Sequence, residues 1–299
     1  MEPDGQNLPP ADAASQAVTA SPAPSAPRPP GWPYMTYLEA VLMSAALLLF
    51  RLGAAVCVGV FVAEAISVLK RSRGDFVPEE PDILMLVNVA AVFPLLVWGW
   101  WRSGQRVRQA FGLRAFRWAA IPALVPLGIG AALIASELDN LLRQMIPLED
   151  EFREIFESLM SSPFWAFFVL VVSVPLTEEA LFRGVVLRGL LRRHGPWASS
   201  FASALLFGLV HVYPAQIMPA FLLGLLLAGI HLRTGSLWPC VWMHAVINAL
   251  FLVAHLLVPY EIQGLTTPPE AGVFQPLWLD AFAAALFVAG AAVFFRVTR

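Results

Sequence analysis

Two adjacent acids stand in a stretch otherwise suited to lipid: Pro163-FWAFFVLVVSVPL-Thr177-Glu178-Glu179-ALF-Arg183-GVVL. An ionisable group at membrane depth costs about 2.5–3.5 kcal/mol on insertion scales, so each one needs a reason. Glu179 and Arg183 are four apart with the acid first, the favourable order for an ion pair on one helix face. Glu178 points about 100° away on a helix of 3.6 residues per turn and is left without a local partner. Pro175, just before the acids, removes a backbone bond and kinks the helix, which makes room for a water-lined pocket. Two further polar pairs follow, Phe207-GLV-His211 and His244-AVI-Asn248, each spaced to share one face. One such histidine is ordinarily a satisfied packing residue. A spare carboxylate, two imidazoles and an amide on three successive apolar segments instead suggest acid–base chemistry, because buried groups of these types have shifted proton affinities.

The elements that must position these groups are set by composition. The chain has 299 residues, 58% hydrophobic and 13% charged, with a mean hydropathy of +0.69. Soluble domains carry roughly 45–50% apolar and about 25% charged residues, so too little charge remains here to coat a water-facing surface. A lipid bilayer is the expected surrounding. A net charge of −2 gives no reason to expect a nucleic-acid partner. A crossing needs about 20 mostly apolar residues, and that rule predicts about eight spans, near 38–66, 83–101, 118–136, 164–188, 197–213, 216–233, 236–258 and 278–296. No alternating barrel pattern is present, so the expected fold is an all-α transmembrane bundle. Cys57 and Cys240 lie in apolar runs with no metal-ligand spacing and read as packing residues.

Residues 1–33 are rich in Pro, Ala and Ser and read as a disordered tail. They lack a basic start and an apolar stretch, so insertion is expected to use the first span. The membrane domain is placed at 34–299, with the motif-bearing core at about 160–258. With both termini cytoplasmic, twelve basic residues fall on inner segments, Arg102–Arg117 and Arg188–Arg193 among them, and five on outer ones. Between the third and fourth spans, Leu138, Leu141, Leu142 and Met145, and then Phe152, Ile155, Phe156 and Leu159, recur at helical spacing around Pro147. They predict two short amphipathic helices at the interface, serving as a connector. His194 lies in a basic loop, and His231 and His255 lie near span ends. Arg51 and Glu64, both in the first span, have no partner that the sequence identifies.

In their order, and each on its own hydrophobic segment, the three motifs resemble the CAAX-protease and bacteriocin-processing family of intramembrane endopeptidases, which includes the prenyl-protein type II proteases. The family pattern is EExxxR, FxxxH and HxxxN or an HxxxD-like variant, matched by Glu178-Glu179-ALF-Arg183, Phe207-GLV-His211 and His244-AVI-Asn248 over roughly residues 160–255. The resemblance implies a peptidase acting on membrane-associated or lipidated peptides without a metal cofactor. It implies that Glu178 and His211 activate a water, that His244 and Asn248 bind the oxyanion, and that Glu179, Arg183 and Phe207 shape the site.

Two other readings use the same residues. Glu178, His211 and His244 could supply three zinc ligands with a water in the fourth position, although no HExxH is present. A non-catalytic scaffold or a transporter would also carry intramembrane charge, but no internal repeat supports the latter. There is no GxSxG for a serine mechanism.

Overall fold

Thr36 and Glu39 close the start of the first helix reciprocally. The Glu39 amide donates to Thr36 Oγ1 at 3.1 Å, while the Thr36 amide donates to Glu39 Oε2 at 2.7 Å. Such a capping box satisfies two amides that a helix start leaves bare. The computed structural model describes residues 35–53, 80–146, 157–211, 213–267 and 273–299. The tail, Cys57, Glu64 and residues 152–156 of the second amphipathic segment lie outside these residues.

The described residues form helices and no strand, as the all-α expectation requires. The longer ones are α1 (37–53, reaching the limit of the described segment), α2 (Glu80–Ser103), α3 (Trp118–Arg143), α4 (Pro163–Leu190), α5 (Pro196–Leu209), α6 (Pro214–Thr234), α7 (Trp238–Leu257) and α8 (Leu277–Val297). Proline sets three of the starts. Pro163, Pro196 and Pro214 open α4, α5 and α6, where a missing amide hydrogen costs nothing. Gly235, at φ 62°, closes α6 by donating to the His231 carbonyl at 2.8 Å.

Among the described residues, five helices, α3, α4, α6, α7 and α8, are long and apolar enough to cross a membrane, and the chain is a multi-pass membrane protein. The fifth predicted span is shorter than expected: α5 has 14 residues and ends at Leu209 rather than 213. The amphipathic connector also differs. Residues 137–143 are not a separate interfacial helix but the last turns of α3, because no glycine or proline interrupts the chain between Ala131 and Arg143. Residues 157–161 are helical, just before α4.

Polar contacts at the ends of the helices establish an up-and-down bundle. At one end Arg102 meets Glu39 at 3.2 Å, Arg188 donates to the Gln109 carbonyl at 2.7 Å, and Ser236 donates to the Arg114 carbonyl at 2.7 Å. Arg117 donates to the Val297 carbonyl there at 3.3 Å. At the opposite end Asn140 donates to the Gly264 carbonyl at 2.6 Å, and the Gln275 amide donates to Glu137 at 2.9 Å.

Two large parts make up most of the apolar core, beside two smaller clusters around Val169 and Leu252 and around Leu133 and Leu279. One part joins α1, α2, α4 and α5 through Leu47, Val92, Phe182, Val185 and Phe207; the other joins α3, α6, α7 and α8 through Leu127, Leu227, Met243 and Phe294. In the second part α3 and α8 touch backbone to backbone. A Cβ on Gly130 would stand 2.5 Å from the Phe287 nitrogen, and one on Gly290 the same distance from the Leu127 nitrogen. Small residues permit this approach where lipid supplies no hydrophobic drive between helices.

Candidate active site

The acids lie on a short α-helical stretch of α4, Val174–Glu179, flanked by two wider π-helical windings, Phe168–Ser173 and Ala180–Leu187. Pro175 cannot donate to the preceding turn, and the wider winding before it accommodates that loss. The offset between adjacent residues then sends the two acids to different partners.

Glu179 faces the second core. Its Oε1 accepts from Arg183 Nη1 at 2.9 Å and from His244 Nδ1 at 2.9 Å. Arg183 Nη2 donates to the Gly224 carbonyl at 3.0 Å, and Glu179 and Arg183 are both wholly buried. Gly224 lets α6 lie close against α5, since a Cβ there would stand within 3.2 Å of Ala204 and Phe207. The Arg183 guanidinium also lies 4.5 Å from the Phe207 ring centre. Phe207 is a common wall, with its ring centre 5.1 Å from that of His211 and 6.0 Å from that of His244, both edge-on.

Glu178 faces the first core. Its Oε1 accepts from Arg51 Nη2 at 2.8 Å, and its Oε2 is buried with no hydrogen-bond partner among the described residues. The same Arg51 nitrogen donates to Asn88 Oδ1 at 3.3 Å, while Asn88 Nδ2 donates to Thr177 Oγ1 at 3.0 Å. Arg51 Nη1 reaches the Val210 carbonyl at 3.4 Å, next to His211. A helix of 14 residues covers about 21 Å at 1.5 Å per residue, short of the ~30 Å hydrocarbon core, which leaves the turn after α5 level with Glu178. His211 and His244 both lie within electrostatic reach of Glu178.

The ring nitrogens can be assigned from their partners. His211 Nδ1 lies 2.8 Å from the Phe207 carbonyl, which can only accept, so Nδ1 carries a proton and a neutral ring keeps its lone pair on Nε2. By the same logic His244 donates from Nδ1 to the Glu179 carboxylate. Asn248 Nδ2 donates to the Leu170 carbonyl at 2.8 Å, within the first π-helical winding, which leaves its second amide hydrogen.

The structure thus joins Glu179, Arg183, Phe207 and His244 in one cluster and Glu178, Arg51 and the His211 turn in another, meeting at Phe207 and α4. Arg51, Asn88 and Thr177 have no place in the three motifs. The only sign of Arg51 in the sequence is a lone cation inside an apolar span, which must find a partner. Among the described residues no three His, Cys, Asp or Glu side chains are grouped as a metal-binding set. Cys240 is buried, and its thiol donates to the Leu227 carbonyl at 3.4 Å.

No curated protein and no solved structure was found to match the chain. Residues 160–250 match the family model described as type II CAAX prenyl endopeptidase, Rce1-like. That segment runs from just before α4 into α7 and contains all three motifs, so the resemblance drawn from them to the CAAX-protease family is borne out over this part of the chain.

Proposed function

We propose that the chain is an intramembrane endopeptidase that cleaves membrane-associated or lipidated peptides with a water activated by Glu178 and His211. The observation that carries this reading is the state of Glu178: buried, anchored through one oxygen by Arg51 and with the other oxygen unpartnered. In the proposed reaction Glu178 takes a proton from water, assisted by the His211 Nε2 lone pair, and the hydroxide adds to the scissile carbonyl. The tetrahedral intermediate then expels the amine, which receives the proton from Glu178 as the C–N bond breaks. Asn248 has an amide hydrogen left for the oxyanion. His244, whose Nδ1 proton is given to Glu179, can donate to it from Nε2 only as an imidazolium. The basic end of the bundle is assigned to the cytoplasm, with both termini there. No metal takes part in this reading.

The test is turnover of a fluorogenic membrane-soluble peptide by the purified full chain. Glu178→Gln keeps the shape and removes the base, so kcat should fall by at least about 10²-fold. A folded Glu178→Gln variant with full activity would refute the assignment. Wild-type turnover should survive exhaustive chelation. A loss restored by zinc would reassign Glu178, His211 and His244 as metal ligands.

A further inference from the structure

We infer that Arg51 is a positioning residue of the site: its guanidinium fixes the carboxylate of Glu178 and the turn carrying His211 in one mutual arrangement. The inference rests on the endopeptidase reading of Glu178. None of the three motifs includes Arg51, and it lies outside the segment that matches the family, 127 residues before the acid it binds.

Four helices meet at this one side chain. From α1, Nη2 holds Glu178 Oε1 on α4 at 2.8 Å and Asn88 Oδ1 on α2 at 3.3 Å. Asn88 in turn holds Thr177, the neighbour of Glu178, so α4 is gripped both directly and through an intermediary. Nη1 takes the Val210 carbonyl, one of the acceptors that the end of α5 leaves without an intrahelical donor. Arg51 therefore satisfies the turn that delivers His211 and orients the base together. Because it occupies only Oε1, the carboxylate is held against rotation while Oε2 stays available to react.

This geometry requires a fork. A guanidinium presents separate nitrogens in a rigid plane, whereas an ammonium is a single point of charge that cannot occupy both nitrogen positions. The alternative is that Arg51 merely neutralises a buried acid. In that case lysine would serve equally well, and loss of the charge would affect folding rather than the rate of the bound complex.

The experiment compares wild type, Arg51→Lys, Arg51→Gln, Glu178→Gln and the Arg51→Gln/Glu178→Gln double variant, all full chain in detergent. Turnover and thermal unfolding are both read. Misplacing a reacting group by about 1 Å costs about 10²-fold, so Arg51→Gln should lose about that much kcat with KM changed by less than about twofold. Arg51→Lys should recover part of the loss and not all of it. Wild-type kcat in Arg51→Gln, a change confined to KM, or full activity in Arg51→Lys would each overturn the inference. If Arg51→Gln does not fold, the kcat of Arg51→Lys decides alone, and a folded double variant would show that the lost fold was uncompensated charge. Full turnover in Glu178→Gln would instead defeat the endopeptidase reading and this inference with it. An inactive Glu178→Gln beside a fully active Arg51→Gln would defeat this inference only.

Discussion

Among the described residues Arg183 is the largest of the fully buried side chains, a cation where no water reaches. Glu179, the Gly224 carbonyl and the Phe207 face surround it, and removing one partner from such a pair leaves an uncompensated charge, at a cost of about 3–5 kcal/mol. Glu179→Gln should therefore destabilise the protein by about that amount, read as a lowered unfolding midpoint in detergent. Glu178→Gln should lose much less stability, because Arg51 retains Asn88, the Val210 carbonyl and partial exposure to solvent. Two adjacent acids would then separate, one governing stability and the other turnover. Equal destabilisation by both changes would contradict this division. At this scale only the local pair is legible in the sequence, since Glu179 and Arg183 are one turn apart. The bonds of Glu179 to His244 and of Glu178 to Arg51 span 65 and 127 residues. No periodicity encodes contacts of that range.

Among the elements, α4 acts through its winding and α3 with α8 through their nearness. A valine at Gly130 would drive its Cβ into the Phe287 backbone, and overpacking of this kind typically costs 1–3 kcal/mol. Gly130→Val should lower the unfolding midpoint, while the turnover of molecules that remain folded stays near wild type, because the site is built on α1, α2 and α4–α7. A large loss of specific activity in folded material would show that α3 and α8 support the site directly. Helix limits were legible to within a few residues where prolines mark them, as at Pro163, Pro196 and Pro214. They were misread where the apolar phase runs on: Leu138, Leu141 and Leu142 simply continue the face of α3. The π-helical windings have no sequence sign beyond Pro175, because the same residues could form a regular helix with different neighbours. Asn248 shows what that hides, since it bonds a carbonyl inside the first winding.

For the whole molecule, the sidedness of charge is the most testable property. Gly195 lies exposed in a loop at the basic end and Glu261 lies exposed at the other. In a chain freed of Cys57 and Cys240, a membrane-impermeant maleimide should label Glu261→Cys on right-side-out vesicles and reach Gly195→Cys only after lysis. The reverse pattern would invert the bundle. The bundle itself was legible from hydropathy, whereas its two large apolar clusters, with the acids between them, follow from tertiary packing alone. The pairing of the acids has a consequence for biosynthesis. A nascent α4 brings Glu178, Glu179 and Arg183 to the membrane ahead of Gly224 and His244, which lie 41 and 65 residues downstream of the side chains they meet. Glu179 arrives with its own cation one turn behind it, and the cation for Glu178 left the ribosome long before. Neither acid need wait in lipid for a partner from a later helix.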